Sequence, residues 1–186
     1  MKALCLLLLL FTSASWAKTE VTVNKSDDDI IHVQARAFTA APPMVAWEVL
    51  TDYEHLAAFI PNIASSRIIS APGEPLRVEQ KGSTSFLLFS FPIEVVFEID
   101  AKLSHGLHFH SVSGNLRDMV GDYRLTAISN GTRIFYEARF KPDFWVPPLV
   151  SVAIMRNEIK RQFDGLVLEI ERRYTAQQKV LSSQTE

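Results

Sequence analysis

The chain has 186 residues, with 19 Lys and Arg against 21 Asp and Glu and a net charge of −2. One cysteine and no basic cluster argue against a disulfide framework and against nucleic acid as a partner. Hydrophobic residues make up 47% of the chain, enough for one domain held together by its own core.

The first 17 residues stand apart. Lys2 supplies a positive start, Ala3 to Phe11 an apolar run, and Ser15-Trp16-Ala17 the small residues that a signal peptidase reads. The run is too short to span a bilayer as a helix. Cys5 lies inside it, which leaves no room for a lipoprotein signal ahead of an anchor. These features predict a cleaved signal peptide over 1–17 and a secreted, periplasmic protein. Cleavage also removes the only cysteine, and with it any thiolate ligand or Cys nucleophile. The domain is expected over 18–176, followed by a polar tail over 177–186.

Thr19 to Asn24 and Ile30 to Thr39 read as two strands joined by the polar turn Lys25 to Asp29. Pro42-Pro43 opens a short helix carrying Val45, Ala46, Trp47, Val49 and Leu50. Thr51 and Glu54 have capping-box spacing, which predicts a second short helix toward Phe59, ended by Pro61. From Ile63 to Phe140 the pattern becomes short strands: Ile63 to Ser70, Arg77 to Ser83, Phe86 to Asp100, Gly106 to Ser113, Gly121 to Ile128 and Thr132 to Phe140. No helix-length run interrupts them, so they read as an antiparallel meander with Asn130-Gly131 as its strongest hairpin turn.

Alternation assigns the faces. Phe89, Phe91, Ile93, Val95, Phe97 and Ile99 share one side of the long strand, while Glu94, Glu98 and Asp100 share the other. Tyr123, Leu125 and Ala127 oppose Asp122, Arg124 and Thr126; Ile134, Tyr136, Ala138 and Phe140 oppose Arg133, Glu137 and Arg139. The sheet therefore has one oily and one charged face.

The partner for the oily face is the stretch from Pro147 to Tyr174. Val152, Met155, Ile159, Phe163, Leu166, Ile170 and Tyr174 recur at helical spacing, with Arg156, Lys160, Arg161, Asp164, Arg172 and Arg173 opposite. Arg172 and Arg173 stand where the helix dipole favours positive charge. A single sheet with one apolar face and one long helix with an apolar stripe complement each other, so the expected class is α+β with the helix lying across the sheet. The inner face is rich in Phe and Tyr, with Gln80, Ser111, Tyr123 and Tyr136 as its few polar groups. That composition suits either a pocket for an apolar ligand or a filled core.

Trp47-Glu48-Val49-Leu50-Thr51-Asp52-Tyr53, Phe59-Ile60-Pro61-Asn62 and Ser66-Arg67 resemble the opening of the START-like (SRPBCC) superfamily. The branch is that of the polyketide cyclase/dehydrase and lipid-transport proteins and the coenzyme Q-binding proteins. Asp143-Phe144-Trp145-Val146-Pro147-Pro148 and Arg161-Gln162-Phe163 resemble the lead into its C-terminal helix, so the similarity extends from about Val33 to Arg173. The resemblance implies a helix-grip fold, a curved antiparallel sheet wrapped around the C-terminal helix with a cavity between them. Its members bind lipids, isoprenoid quinones, hormones or polyketides, and some are cyclases or aromatases. The shared motifs are architectural and carry over no catalytic residue and no cofactor.

Other chemistry is weaker. His105, His108 and His110 form the densest histidine group, but Leu107 and Phe109 take the inward positions and leave a solvated sheet face in preference to a metal site. Glu94 and Glu98 also face outward, and Asp118, Asp143 and Glu137 read as surface or strand-edge charges. No nucleophile elbow, glycine-rich phosphate loop or zinc-protease motif occurs. Phe144 and Trp145 precede the long helix, where a cavity would have its rim. Trp145 then serves either as a gate or transient membrane contact, or as a plug of the core end. Unchanged vesicle binding in Trp145→Ala would exclude the membrane contact. Gly165 interrupts the long helix and marks either a close crossing or space for a ligand. Asn24-Lys25-Ser26 and Asn130-Gly131-Thr132 match the glycosylation pattern.

The expected function is binding of a hydrophobic small molecule or lipid by Phe59, Phe89, Phe91, Phe109, Tyr123, Tyr136, Met155 and Phe163, the two phenols orienting a polar head group. The alternatives are a cyclase/aromatase-like enzyme using the same cavity and a cavity-free protein-interaction module.

Overall fold

Polar residues make the first turn. Asp29, at φ 66°, donates its N–H to the Ser26 carbonyl, and the Ser26 N–H donates to the Ile30 carbonyl at 2.9 Å. This closes a hairpin between β1 (Glu20–Lys25) and β2 (Ile31–Thr39). The computed structural model describes residues 19–86, 89–103, 106–143 and 152–184. Pro43, which has no N–H to leave unsatisfied, opens α1 (Pro43–Leu50).

The expected capping box does not form. Thr51 donates its hydroxyl back to the Trp47 carbonyl at 2.8 Å, and Glu54 accepts from the Ile68 N–H at 2.7 Å. A 3₁₀ turn over Tyr53–His55 therefore leads into the four-residue α2 (Leu56–Phe59), and Glu54 ties that turn to the end of the next strand.

Six further strands follow: β3 (Ile63–Ile68), β4 (Leu76–Phe86), β5 (Phe89–Lys102), β6 (Gly106–Gly114), β7 (Leu116–Ile128) and β8 (Gly131–Pro142). With the first hairpin they form one antiparallel sheet in the order β1-β2-β8-β7-β6-β5-β4-β3. β7 starts at Leu116, earlier than the alternation predicts. A bulge between Arg117 and Val120, with Asp118 at φ 50°, breaks the two-residue period there. The β7–β8 hairpin forms as expected, but Ser129 and Asn130 are its loop residues and Gly131 opens β8 in register with Ile128.

The faces fall as the alternation assigns them. Ile31, Val33, Ala35 and Ala37 of β2 and Ile134, Tyr136 and Ala138 of β8 are buried. The opposite face carries ion pairs, among them Arg77 with Glu98 at 3.1 Å and Arg124 with Glu137 at 2.8 Å.

α3 (Val152–Ser183) packs against β1, β2, α1 and α2 through Phe163, Leu166, Val167 and Ile170. Pro147 and Pro148 lie outside the described residues. The helix continues through most of the stretch expected as a polar tail, because Gln177, Gln178, Lys179 and Leu181 are adequate helix formers even where nothing buries them. Arg172 and Arg173 are consequently mid-helix and do not cap a dipole.

Arg173 is also not on the wet face. It donates to Asp52 at 2.6 Å and to Glu169 at 2.7 Å, with Arg172 donating to the same Glu169 at 2.7 Å. Glu171 accepts from the Thr39 hydroxyl at 2.6 Å and the Ala40 N–H at 2.8 Å. These contacts clasp the C-terminal half of α3 to the β2–α1 junction through Glu171 and to the turn after α1 through Arg173.

The clasp makes stability depend on pH. Hydrogen bonds from Arg172, opposed by burial and reinforced by Arg173, hold the Glu169 carboxyl at about 2, below its ordinary 4.5. Burial pushes Asp52 up, but hydrogen bonds from His55 and Arg173 outweigh it and its carboxyl is also lowered. The folded chain binds these protons more weakly than the unfolded one, so this contribution is complete above pH 4.5 and is lost as pH falls toward 2. Urea unfolding at about pH 6 and about pH 3 checks this. Arg173→Met should cost about 1–3 kcal/mol at the higher pH and narrow the gap between the two. An undiminished gap in that variant would contradict the assignment.

Candidate functional site: a cavity between sheet and helix

The sheet and α3 meet incompletely and enclose a cavity of about 260 Å³. Ile93, Val95, Phe97 and Ile99 of β5 supply one wall, placed there by strict alternation along an unbroken stretch of strand. Leu107 and Phe109 of β6, Tyr123 of β7 and Tyr136 of β8 continue it. Ile159, Gln162, Phe163 and Leu166 close it from α3, while Leu50, Tyr53, Leu56 and Ile60 close the end near α1 and α2.

Aromatic rings form the floor. Tyr123 and Tyr136 lie 4.6 Å apart between centroids, with Phe163 5.3 Å from Tyr136 and Phe109 stacked 6.2 Å from it. Burial pushes the Tyr123 phenol well up and, with the neighbouring Tyr123, the Tyr136 phenol as well. Burial also raises Tyr53 to about 12. All three are neutral across the physiological range.

Charged groups at the wall are already partnered. Glu158 accepts from the Asn62 side chain at 2.5 Å and from Arg161. Lys81 has its ammonium 3.9 Å from Glu79 and 3.7 Å from Glu94. Glu158 is the carboxylate in the described lining, and with its bonds to Asn62 and Arg161 made it is not a free general acid there.

The structure brings four of the anticipated residues, Phe109, Tyr123, Tyr136 and Phe163, into the cavity wall. Phe59 packs against the core outside the lining, with the Arg173 guanidinium 5.7 Å from its ring. The reason is angular: Leu56 and Ile60 are four residues apart and share the inward side of α2, whereas Phe59 turns toward α3. Met155 packs against the core one helical turn before Ile159 and is not in the lining, nor is Phe91. The side chains of Phe89, Phe144 and Trp145 lie outside the described residues.

Of the inner-face polar groups, Gln80 lines the cavity, but Ser111 does not. Its hydroxyl accepts from the Met119 N–H at 3.0 Å and supports the irregular start of β7. The sequence reading missed Tyr53, Leu116 and Met119 as wall residues. Leu116 and Met119 are three apart and line the same cavity only because of the bulge, so alternation does not group them. His108 and His110 are exposed on the outer face, His108 against Asp122 at 2.9 Å, and His105 lies outside the described residues.

The residues of the resemblance serve this architecture. Pro61 and the Phe59 carbonyl press against Gly165 of α3, and Asn62, at φ 69°, bonds Glu158 of the same helix. Gly165 thus marks a close crossing.

A family model described as polyketide cyclase / dehydrase and lipid transport matches residues 39–167. The chain belongs to this family. A search of curated proteins returns no match. Among solved structures, a STAR-related lipid transfer protein from Xanthomonas axonopodis aligns at a TM-score of 0.65 with 12% identity, over 82% of this chain and 93% of that one. The Zhui aromatase/cyclase of a Streptomyces species aligns at 0.64 with 16% identity, over 77% and 95%. A START superfamily protein from Mycobacterium smegmatis aligns at 0.58 with 12% identity, over 78% and 97%. At these identities the likeness shows the fold, and the helix-grip architecture of this START-like chain is common to all three.

Proposed function

We propose that this START-like protein is an exported binding protein for a hydrophobic small molecule or lipid, held between the sheet and α3. The observation that carries the reading is the cavity of about 260 Å³, walled mainly by aromatic and aliphatic side chains with a few polar groups among them. Membership in a family described by lipid transport and by polyketide cyclisation agrees with an apolar ligand. The binding role is preferred to the cyclase role because Glu158, the carboxylate in the wall, is already bonded to Asn62 and Arg161, leaving no free acid–base pair there among the described residues.

Export rests on Lys2, the Ala3 to Phe11 run and the Ser15-Trp16-Ala17 site. Native mass spectrometry of protein purified from the exported fraction, followed by organic extraction, tests both parts. The expected result is a chain lacking residues 1–17 with one apolar adduct. A chain that retains those residues would refute export. One that neither carries nor takes up any apolar compound would refute binding.

A further inference from the structure

Three phenols line the cavity, and none has its hydroxyl engaged by a described residue. Tyr53 is 7% exposed and its oxygen is buried out of reach of the open space, so it contributes ring surface and no donor. Tyr136 is 8% exposed, and Tyr123 packs against it. A ligand that covers the Tyr123 and Tyr136 hydroxyls has to supply an acceptor, because a buried hydroxyl left without one is costly and most such groups in native proteins are satisfied. Gln80 and Gln162 add neutral amides to the same wall, whereas Glu158 is bonded to Asn62 and Arg161 and Lys81 lies 3.7 Å from Glu94.

Volume narrows the choice further. A cavity of about 150 Å³ holds benzene, and drug-sized ligands occupy pockets of about 300–1,000 Å³. At about 260 Å³ the space fits one or two rings.

Given that the cavity binds a ligand at all, we infer that the ligand is a compact, uncharged one- or two-ring molecule bearing carbonyl-type acceptor oxygens, to which Tyr123 and Tyr136 donate. Among the described wall residues Lys81 is the cation, and a carboxylate would have to compete for it with Glu79 and Glu94, while a plain hydrocarbon would leave both phenols unmet.

The test compares 1-tetralone with tetralin, its counterpart without the carbonyl, and with 1-naphthoate, by calorimetric titration of the full exported chain. The same titrations are repeated on the double variant Tyr123→Phe, Tyr136→Phe. Because the hydroxyls lack protein partners, this variant should fold as the parent does, which circular dichroism checks. The expected result is that tetralone binds more tightly than naphthoate and loses at least about fourfold in affinity in the variant, since each net hydrogen bond is worth about two- to tenfold. Tetralin should bind both proteins alike.

Equal losses for tetralone and tetralin, or none for either, would overturn the inference. So would tighter binding of naphthoate. Stoichiometric uptake of phosphatidylcholine from dioleoylphosphatidylcholine vesicles, with both two-ring neutral probes refused, would overturn it while leaving the binding function intact. Refusal of every probe and of the lipid would instead remove the binding function itself.

Discussion

Gly165→Ala should destabilise the protein by about 1–2 kcal/mol, although alanine is the better helix former by about 1 kcal/mol. A Cβ at this position would sit 2.4 Å from the Phe59 carbonyl oxygen and 2.8 Å from Pro61 Cδ. Neither atom belongs to a side chain that can rotate away, so α3 would have to lift from the Phe59–Pro61 segment. Overpacking of this kind costs about 1–3 kcal/mol and outweighs the propensity gain. In a chain of this length the melting temperature should fall by about 2–8 °C. Leu56, Ile60 and Asn62 flank the displaced segment at the cavity, so ligand affinity should fall with stability. A rise in melting temperature would mean that the helix is not held this close.

Ile159→Trp should separate binding from folding. Ile159 is half-buried, faces the cavity from α3 and has free space in front of it, so an indole can enter without displacing a neighbour. Filling a space of about 260 Å³ from this side removes room that a one- or two-ring ligand needs. Affinity for the bound molecule should drop at least about tenfold, or about 1.4 kcal/mol. Stability should hold or rise slightly, because the added apolar surface is buried at about 25 cal/mol per Å². Undiminished affinity in a folded variant, checked by the same calorimetric titration, would place the ligand elsewhere.

Much of this architecture is legible in the residues, where the local period is unbroken. Ile93 to Ile99 and Ile134 to Ala138 alternate without interruption, and their faces follow directly. Phe163, Leu166 and Ile170 likewise fix the buried stripe of α3. What escapes the pattern has a physical cause in each case. The bulge at Asp118 puts Leu116 and Met119 out of step with the strand period. Tyr53 lies in a 3₁₀ turn too short to show any periodicity, and its role depends on a cavity that only the assembled fold creates.

Periodicity also gives a face but not a depth. Met155 and Phe163 belong to one helical stripe, yet only the second reaches the cavity. Arg173 shows the opposite failure: its charge marks it for solvent, and the tertiary pairing with Asp52 and Glu169 draws it inward.

The most direct measurement is a crystal structure of the protein purified from its exported compartment without added ligand. Ligand binding between sheet and helix predicts continuous non-protein density bounded by Phe109, Tyr123, Tyr136 and Phe163, with at least one phenol within hydrogen-bond distance of it. Side chains collapsed into that space, or a stoichiometric molecule seated on the charged face of the sheet, would contradict it.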